Sequence, residues 1–324
     1  MKAIDLTTYK FYRPHLSKKL KILILSDIHF SPNFPSEKLR TLAAFIKKQS
    51  PDYLFLPGDL LDSTDVIEDP KREKTLLKWL ENLGKIAPLL ISLGNHDFYH
   101  RPAPGSAEEQ NDVSWIPHYP TAFFCQIVAL DNVYLLNNQS YEDKNLYVYG
   151  YTQSPRYFEF SYLPGTTIFT PTEENYQQML IEVTAMEEKL RSKLKKLPKD
   201  KLKFALIHSP VYLADQKIAK KLAGFDYFVS GHMHNGVVPP VLNELWPTTQ
   251  GLISPTRNLI PKNIRHTIKT NEDKLIVTGA VTTIQECTGP LRHLNAVFPT
   301  YLTVLEFSDD KKYARKPYYE HKYW

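Results

Sequence analysis

Cysteine is nearly missing from this chain: Cys125 and Cys287 are the two in 324 residues. That excludes a disulfide framework, and neither has a second Cys or a His at a metal-ligand spacing. Both are expected to be buried small hydrophobes in a protein of a reducing compartment. Long apolar runs are missing too, since stretches such as Ile22 to Leu25 and Ala87 to Ile91 fall far short of a membrane span. Residues Met1 to Lys19 carry charges throughout and no apolar stretch of signal-peptide length. The expectation is a cytoplasmic protein, with peripheral contact to a membrane as the open alternative. No signature of basic residues interleaved with aromatics appears, which argues against a nucleic-acid partner. No internal repeat of fixed period and no low-complexity linker is found.

What the chain does have is enough apolar residue, 42%, for a substantial core. Its length is large for one domain, yet a sandwich of sheets and helices reaches this size. A single domain over residues 1–324 is expected, with long loop insertions at about 101–120, 152–172 and 236–270. The net charge of +5 is mild, and the basic excess gathers between Lys189 and Lys203 and again from Lys311 to Lys322. A solvated helix face accounts for it. A surface for anionic substrates or lipid headgroups is the alternative.

The hydrophobic period repeats a strand–loop–helix pattern. Leu20 to Leu25, Tyr53 to Leu56 and Pro88 to Leu93 read as buried strands. Ser36 to Gln49, with Ser36 as N-cap, and Glu73 to Asn82 read as helices between them. Val133 to Leu136 and Leu146 to Tyr151 look like antiparallel strands of a second sheet. Glu173 to Lys196 is a long amphipathic helix whose stripe of Met179, Leu180, Val183, Met186, Leu190 and Leu194 is expected to pack on that sheet. Phe204 to Ile207, Tyr227 to Val229, Leu275 to Thr278 and Tyr301 to Phe307 complete the strands.

Five short blocks stand at strand ends: Ser26-Asp27-Ile28-His29, Gly58-Asp59-Leu60-Leu61-Asp62, Gly94-Asn95-His96-Asp97, His208, and Gly231-His232-Met233-His234. In an open α/β sheet, loops at the C-terminal strand ends gather ligands. Asp27 and His29, two apart in extended backbone, project to the same side and can share one metal ion; His232 and His234 repeat that spacing. Asp59 has two oxygens and can bridge two cations. Asn95 offers a neutral carbonyl oxygen, and His208 adds a ring nitrogen. A single histidine is more often a hydrogen-bonded core or surface residue. Here five of the eleven histidines fall in these blocks, in one order, each at a strand end. Independent structural roles for all seven ligands would be a coincidence.

In that order the blocks resemble the signature of the calcineurin-like metallophosphoesterase family, from about Leu20 to Asn235. The resemblance implies a four-layer αββα sandwich of two mixed β-sheets flanked by helices. It implies one divalent ion held by Asp27, His29, Asp59 and His234, and a second held by Asp59, Asn95, His208 and His232. His96 would then be the non-ligand acid near the leaving group, Asp62 the carboxylate that orients it, and Asp97 a loop stabiliser. Nitrogen and oxygen donors without thiolate suit Mn, Fe or Zn, and four imidazoles disfavour Mg. The implied reaction is hydrolysis of a phosphodiester or pyrophosphate bond by a metal-bridging hydroxide.

Ser63 follows Asp62 and Asp97 follows His96, where protein Ser/Thr phosphatases carry Arg and Glu, so the chain departs from that branch. It looks more like bacterial phosphoesterases, including those related to UDP-diacylglucosamine pyrophosphatases. Asn235-Gly236-Val237, however, replaces their usual Gly-Gly-Gln. Arg101 and Arg292 are the candidate substrate contacts, because a guanidinium grips phosphate with two parallel bonds; Tyr99, His100 and His293 lie beside them. The substrate is expected to be a phosphorylated small molecule or lipid. A membrane-surface hydrolase of a phospholipid or lipid pyrophosphate is one alternative, motivated by the basic helix and by Tyr157, Phe158, Phe160 and Tyr162. A catalytically inert binding scaffold of the same fold is the other.

Overall fold

A computed structural model describes residues 3–16, 18–102, 104–107, 116–154, 173–195, 197–210, 224–239, 242, 250–253, 259–260, 266–270, 273–283, 298–313 and 318–323. Alternation of apolar residues along each strand dictates the layers, because successive side chains point to opposite faces. In β2 (Leu20–Ile24), Ile22 and Ile24 face one way while Leu23, and Leu25 just beyond, face the other. The same alternation divides Tyr53 and Phe55 from Leu54 and Leu56 in β3 (Tyr53–Pro57), and Leu90 from Leu89 and Ile91 in β4 (Leu89–Ser92).

The first sheet also contains β1 (Ala3–Tyr12), β5 (Val133–Leu135), β12 (Thr300–Ser308) and β13 (Tyr318–Tyr323). Its order is β13-β1-β12-β2-β3-β4-β5. β2 to β5 run parallel, β12 is antiparallel to β2, and β1 pairs with β12 in parallel from Ile4↔Thr300 to Tyr12↔Ser308. The second sheet is built from β6 (Gln139–Glu142), β7 (Leu146–Tyr151), β8 (Leu202–Ile207), β9 (Tyr227–Ser230), β10 (His266–Thr270) and β11 (Asp273–Val277). Its order is β10-β11-β9-β8-β7-β6, with a parallel centre and antiparallel edges.

Three apolar layers hold these sheets. Between them, Ile22, Ile24 and Phe55 meet Val148, Phe204 and Val229. Outside the first sheet lie α1 (Ser36–Gln49), α2 (Pro70–Gly84) and α3 (Thr121–Val128), which bury Phe45, Trp79 and Phe123 against Leu54 and Ile91. The Trp79 indole N–H also donates to Leu39 O at 2.9 Å, tying α2 to α1. Outside the second sheet, α4 (Glu173–Leu194) buries Leu190 against Tyr149, Ile207 and Phe228. The result is the four-layer αββα sandwich.

Several expectations need correction. Val133–Leu135 pairs in parallel with β4 in the first sheet, because α3 supplies the crossover that a parallel neighbour requires. Pro35, not Ser36, occupies the N-cap of α1. α2 starts three residues earlier than its apolar residues suggest: the Asp69 carboxylate accepts from Lys71 N, and Pro70 fits the first helical position. Along α4 the apolar stripe docks toward its C-terminal half. Met186, Leu190 and Leu194 pack on the sheet, while Leu180 and Ile181 are exposed. Cys125 is exposed rather than buried; Cys287 lies outside the described residues. Most of the expected 152–172 loop lies outside them as well.

Phe55 sits fully buried in the inter-sheet layer, its ring centroid 5.3 Å from that of Phe204. Phe55→Ala should cost about 3–5 kcal/mol in urea unfolding. Val128→Ala, at an exposed position of α3, should stay within roughly 0.5 kcal/mol.

Candidate metal centre

The five blocks begin where the ladders of β2, β3, β4, β8 and β9 stop, and all five open on one edge of the sandwich. The first two run on side by side: Asp27 N donates to Gly58 O, His29 N to Asp59 O, and Phe30 N to Leu60 O. The 280–283 segment braces the first block from the other side, with Thr282 N on Asp27 O and Thr282 Oγ1 on Ile28 O. The backbone here is not extended as the spacing suggests. Asp27, His29, Asp59, His232 and His234 all have positive φ, between 46° and 65°. Each such residue costs roughly 1–2 kcal/mol, and Asp and His tolerate the region better than most. Alternating left-handed residues still bring both ligands of each pair inward.

Two glycines are dictated by close approach. Gly58 has φ 92°, and a Cβ on it would lie 2.4 Å from His208 Nδ1. A Cβ on Gly94 would fall 2.2 Å from Asp59 Oδ1. The loops are pinned together by Asp97, whose Oδ2 accepts from Gly94 N at 2.9 Å and Asp59 N at 3.1 Å. Its Oδ1 accepts from Leu61 N at 3.0 Å. Burial, reinforced by the neighbouring Asp59 charge, pushes the Asp97 carboxyl up to about 7.

Among the described residues donor atoms converge in three groups, two of them built from the expected ligands alone. Asp27, His29 and His234 form one: His29 Nε2 and His234 Nε2 lie 3.2 Å apart, and His234 Nε2 is 3.4 Å from Asp27 Oδ1. Asp59, His208 and His232 form the other, with Asp59 Oδ2 3.0 Å from His208 Nε2. Asp59 stands between them, because the same Oδ2 is 3.6 Å from His29 Nε2 while Oδ1 is held by His96 N at 2.9 Å. Main-chain carbonyls set the ring tautomers. His208 Nδ1 faces Pro57 O and His234 Nδ1 faces Thr283 O, each at 2.8 Å, so these nitrogens carry protons and Nε2 is left as the donor.

The chemistry of this set fits cations. Asn95 Oδ1 is buried without a hydrogen-bond partner, and the Nε2 atoms of His29 and His234 face each other 3.2 Å apart. Without a cation, protons partly stand in. Burial opposes charge on His208, yet the Asp59 carboxylate overcomes it and lifts the imidazole to about 9. Burial likewise opposes charge on Asp59, but His208 and His96 hold it well below the usual carboxylate range. Burial raises Asp27, and burial with the neighbouring imidazoles holds His29 and His232 low.

His96 and Asp62 border the first group. Asp62 is expected to orient His96 through its carboxylate, which lies in one donor group with His96 and His29; His96 Nδ1 also donates to the Asp62 main-chain carbonyl at 2.6 Å. The Asp62 carboxylate pairs with Arg101 at 2.6 Å. Tyr99 packs edge-on to His96 at 5.3 Å, and His100 Nδ1 lies 3.1 Å from Thr64 Oγ1. Arg292, His293 and the aromatic loop residues fall outside the described residues. Sequence reasoning missed the carbonyls of Pro57, Asp62 and Thr283, since a backbone acceptor leaves no mark in residue type.

A family model described as calcineurin-like phosphoesterase matches residues 20–236, well over half of the chain. The chain belongs to that family. Its relatives include an uncharacterised metallophosphoesterase of Campylobacter jejuni, 36% identical over 87 residues, 27% of this chain and 22% of the relative. A transmembrane protein with a metallophosphoesterase domain from zebrafish is 30% identical over 101 residues, 30% of this chain and 21% of that one. The matched region spans less than a quarter of the length of either relative. Among solved structures, a phosphopantetheinyl hydrolase of Mycobacterium tuberculosis superposes with TM-score 0.46 at 12% identity, covering 93% of this chain and 100% of that one. A dimetal phosphatase of zebrafish gives 0.43 at 10%, covering 88% and 91%. Among the described residues of this phosphoesterase, no helix is long and apolar enough to cross a membrane.

Two outcomes are expected. Asp97→Ala leaves three buried N–H groups without their acceptor and should cost at least about 2 kcal/mol, read by thermal or urea unfolding. Metal loading near neutral pH must displace the His208 proton. Calorimetry in buffers of different ionisation enthalpy should show proton release that shrinks as pH rises through about 9.

Proposed function

We propose that this calcineurin-like phosphoesterase hydrolyses a phosphodiester or pyrophosphate bond at a dinuclear centre of Mn, Fe or Zn. One ion would be held by Asp27, His29, Asp59 and His234, the other by Asp59, Asn95, His208 and His232. The observation that carries the reading is Asp59: His96 N pins its Oδ1, and its Oδ2 faces both donor groups. When bound, the cations would grip phosphoryl oxygens and make a water nucleophilic near neutral pH.

The chain's own residues would do the rest. With Nδ1 committed to the Asp62 carbonyl, the His96 ring can hold its transferable proton at Nε2 only. Giving that proton to a departing oxygen leaves the neutral Nδ1–H tautomer with its hydrogen bond intact. No reorientation accompanies the transfer, and such a group contributes roughly 10²–10⁴-fold. The substrate is read as a phosphorylated small molecule or lipid.

A panel of bis-p-nitrophenyl phosphate, p-nitrophenyl phosphate and nucleotide pyrophosphates, run with Mn²⁺, Zn²⁺ and Mg²⁺, tests the reaction class. Diester or pyrophosphate cleavage that outpaces monoester cleavage is expected; cleavage of the monoester alone would sink the reading. His96→Asn should keep its metals and lose roughly 10²–10⁴-fold in turnover on a poor leaving group. Asn95→Ala should weaken one ion, while Asp59→Asn weakens both, as read by metal analysis after dialysis.

A further inference from the structure

Arg101 stands beside the centre without belonging to either donor group. Its Nη2 donates to Asp62 Oδ2 at 2.6 Å, and its Nη1 lies 3.9 Å from Asp65. The Arg101 side chain is 40% exposed and that of Asp62 only 4%, so a solvated cation meets a carboxylate sunk into the protein. The other carboxylate oxygen, Oδ1, lies 3.6 Å from His29 Nδ1, and the main-chain carbonyl of the same residue holds His96. Asp62 thus borders both a ligand imidazole and the ring assigned as acid.

A buried carboxylate stays ionised only with a counter-charge or a full set of donors. A histidine that ligates through Nε2 commonly turns its Nδ1–H to a carboxylate, which fixes the ring and raises its basicity. Arg101 supplies the charge for Asp62, and Asp62 is the carboxylate nearest His29 Nδ1. Resting on the dinuclear reading above, we infer that Arg101 is a positioning residue for the first ion. It holds the Asp62 carboxylate turned toward His29 Nδ1, so that His29 Nε2 stays aimed between Asp27 and His234. This differs from the substrate contact that the sequence alone suggests, because the guanidinium is already committed to Asp62 and Asp65. Without it, the carboxylate is free to swing toward water, and His29 loses the carboxylate that stands beside its ring.

The test is calorimetric titration of the metal-free chain with Mn²⁺ or Zn²⁺, alongside steady-state kinetics on the diester. Wild type should bind two ions. R101A should weaken one of them by about 10–100-fold, the range for a lost partner of a ligand, and leave the other nearly unchanged. kcat should fall with little change in KM. R101K keeps the charge but not the fork and should recover part of the loss. D62N should reproduce the single-site weakening, and R101A/D62N should add nothing further, since both act through one contact. Unchanged affinities in R101A, a rise in KM alone, or losses that sum in the double variant would each overturn the inference. A wild-type chain that takes only one ion would sink the dinuclear reading. The role of Arg101 would then stand or fall on whether R101A weakens that ion.

Discussion

Two carboxylates, Asp27 and Asp59, are fully withdrawn from water at the edge where the two sheets meet, and positive charge has to meet them there. That constraint organises the centre. Burying an ion without compensation costs several kcal/mol even after relaxation, so the surrounding atoms are arranged to hold cations or, in their place, protons. His208 beside Asp59 is the clearest expression, an imidazole kept protonated to about 9 by the carboxylate it faces. The same carboxylate leaves one oxygen to a backbone N–H and turns the other to both donor groups.

Holding that geometry strains the backbone, and the sandwich supplies what offsets it. Asp27, His29, Asp59, His232 and His234 sit at positive φ. The strands feeding them are packed on both faces, with Phe55 and Phe204 between the sheets and Trp79 beneath the helix layer. Asp97 stitches the second and third blocks together with three N–H bonds, so a shift in one loop cannot occur without the other. Strand ends rather than long loops carry the centre, which suits donor atoms that must be placed to fractions of an ångström. His96 follows the same economy, since one residue, Asp62, holds its ring with a carbonyl while the Asp62 carboxylate lies beside His29 and meets Arg101.

Much of this was legible in residue order. The alternation in Leu20 to Leu25 and Tyr53 to Leu56 marks strands buried on both faces, and α1 shows its period without ambiguity. The seven donors stand in five recognisable blocks, and the structure gathers those blocks at one edge. Other elements were hidden for physical reasons. β1 and β13 hold their places through hydrogen-bond ladders to β12 and to each other, a long-range pairing that no local pattern announces. β5 reads as a strand of the second sheet, whereas α3 carries it over to pair with β4. On the α4 stripe Leu180 is left in water while Leu190 is buried, because periodicity states which residues share a face and not what that face meets.

The sequence by itself determined the family, the donor set and the side-chain chemistry available to it, because those depend on residue type and order. Only the tertiary structure decided which atoms face which. It put Asp59 between the donor groups, set the tautomers of His96, His208 and His234 with backbone carbonyls, and paired Arg101 with Asp62. Those are matters of distance between segments tens to hundreds of residues apart, and packing alone sets them.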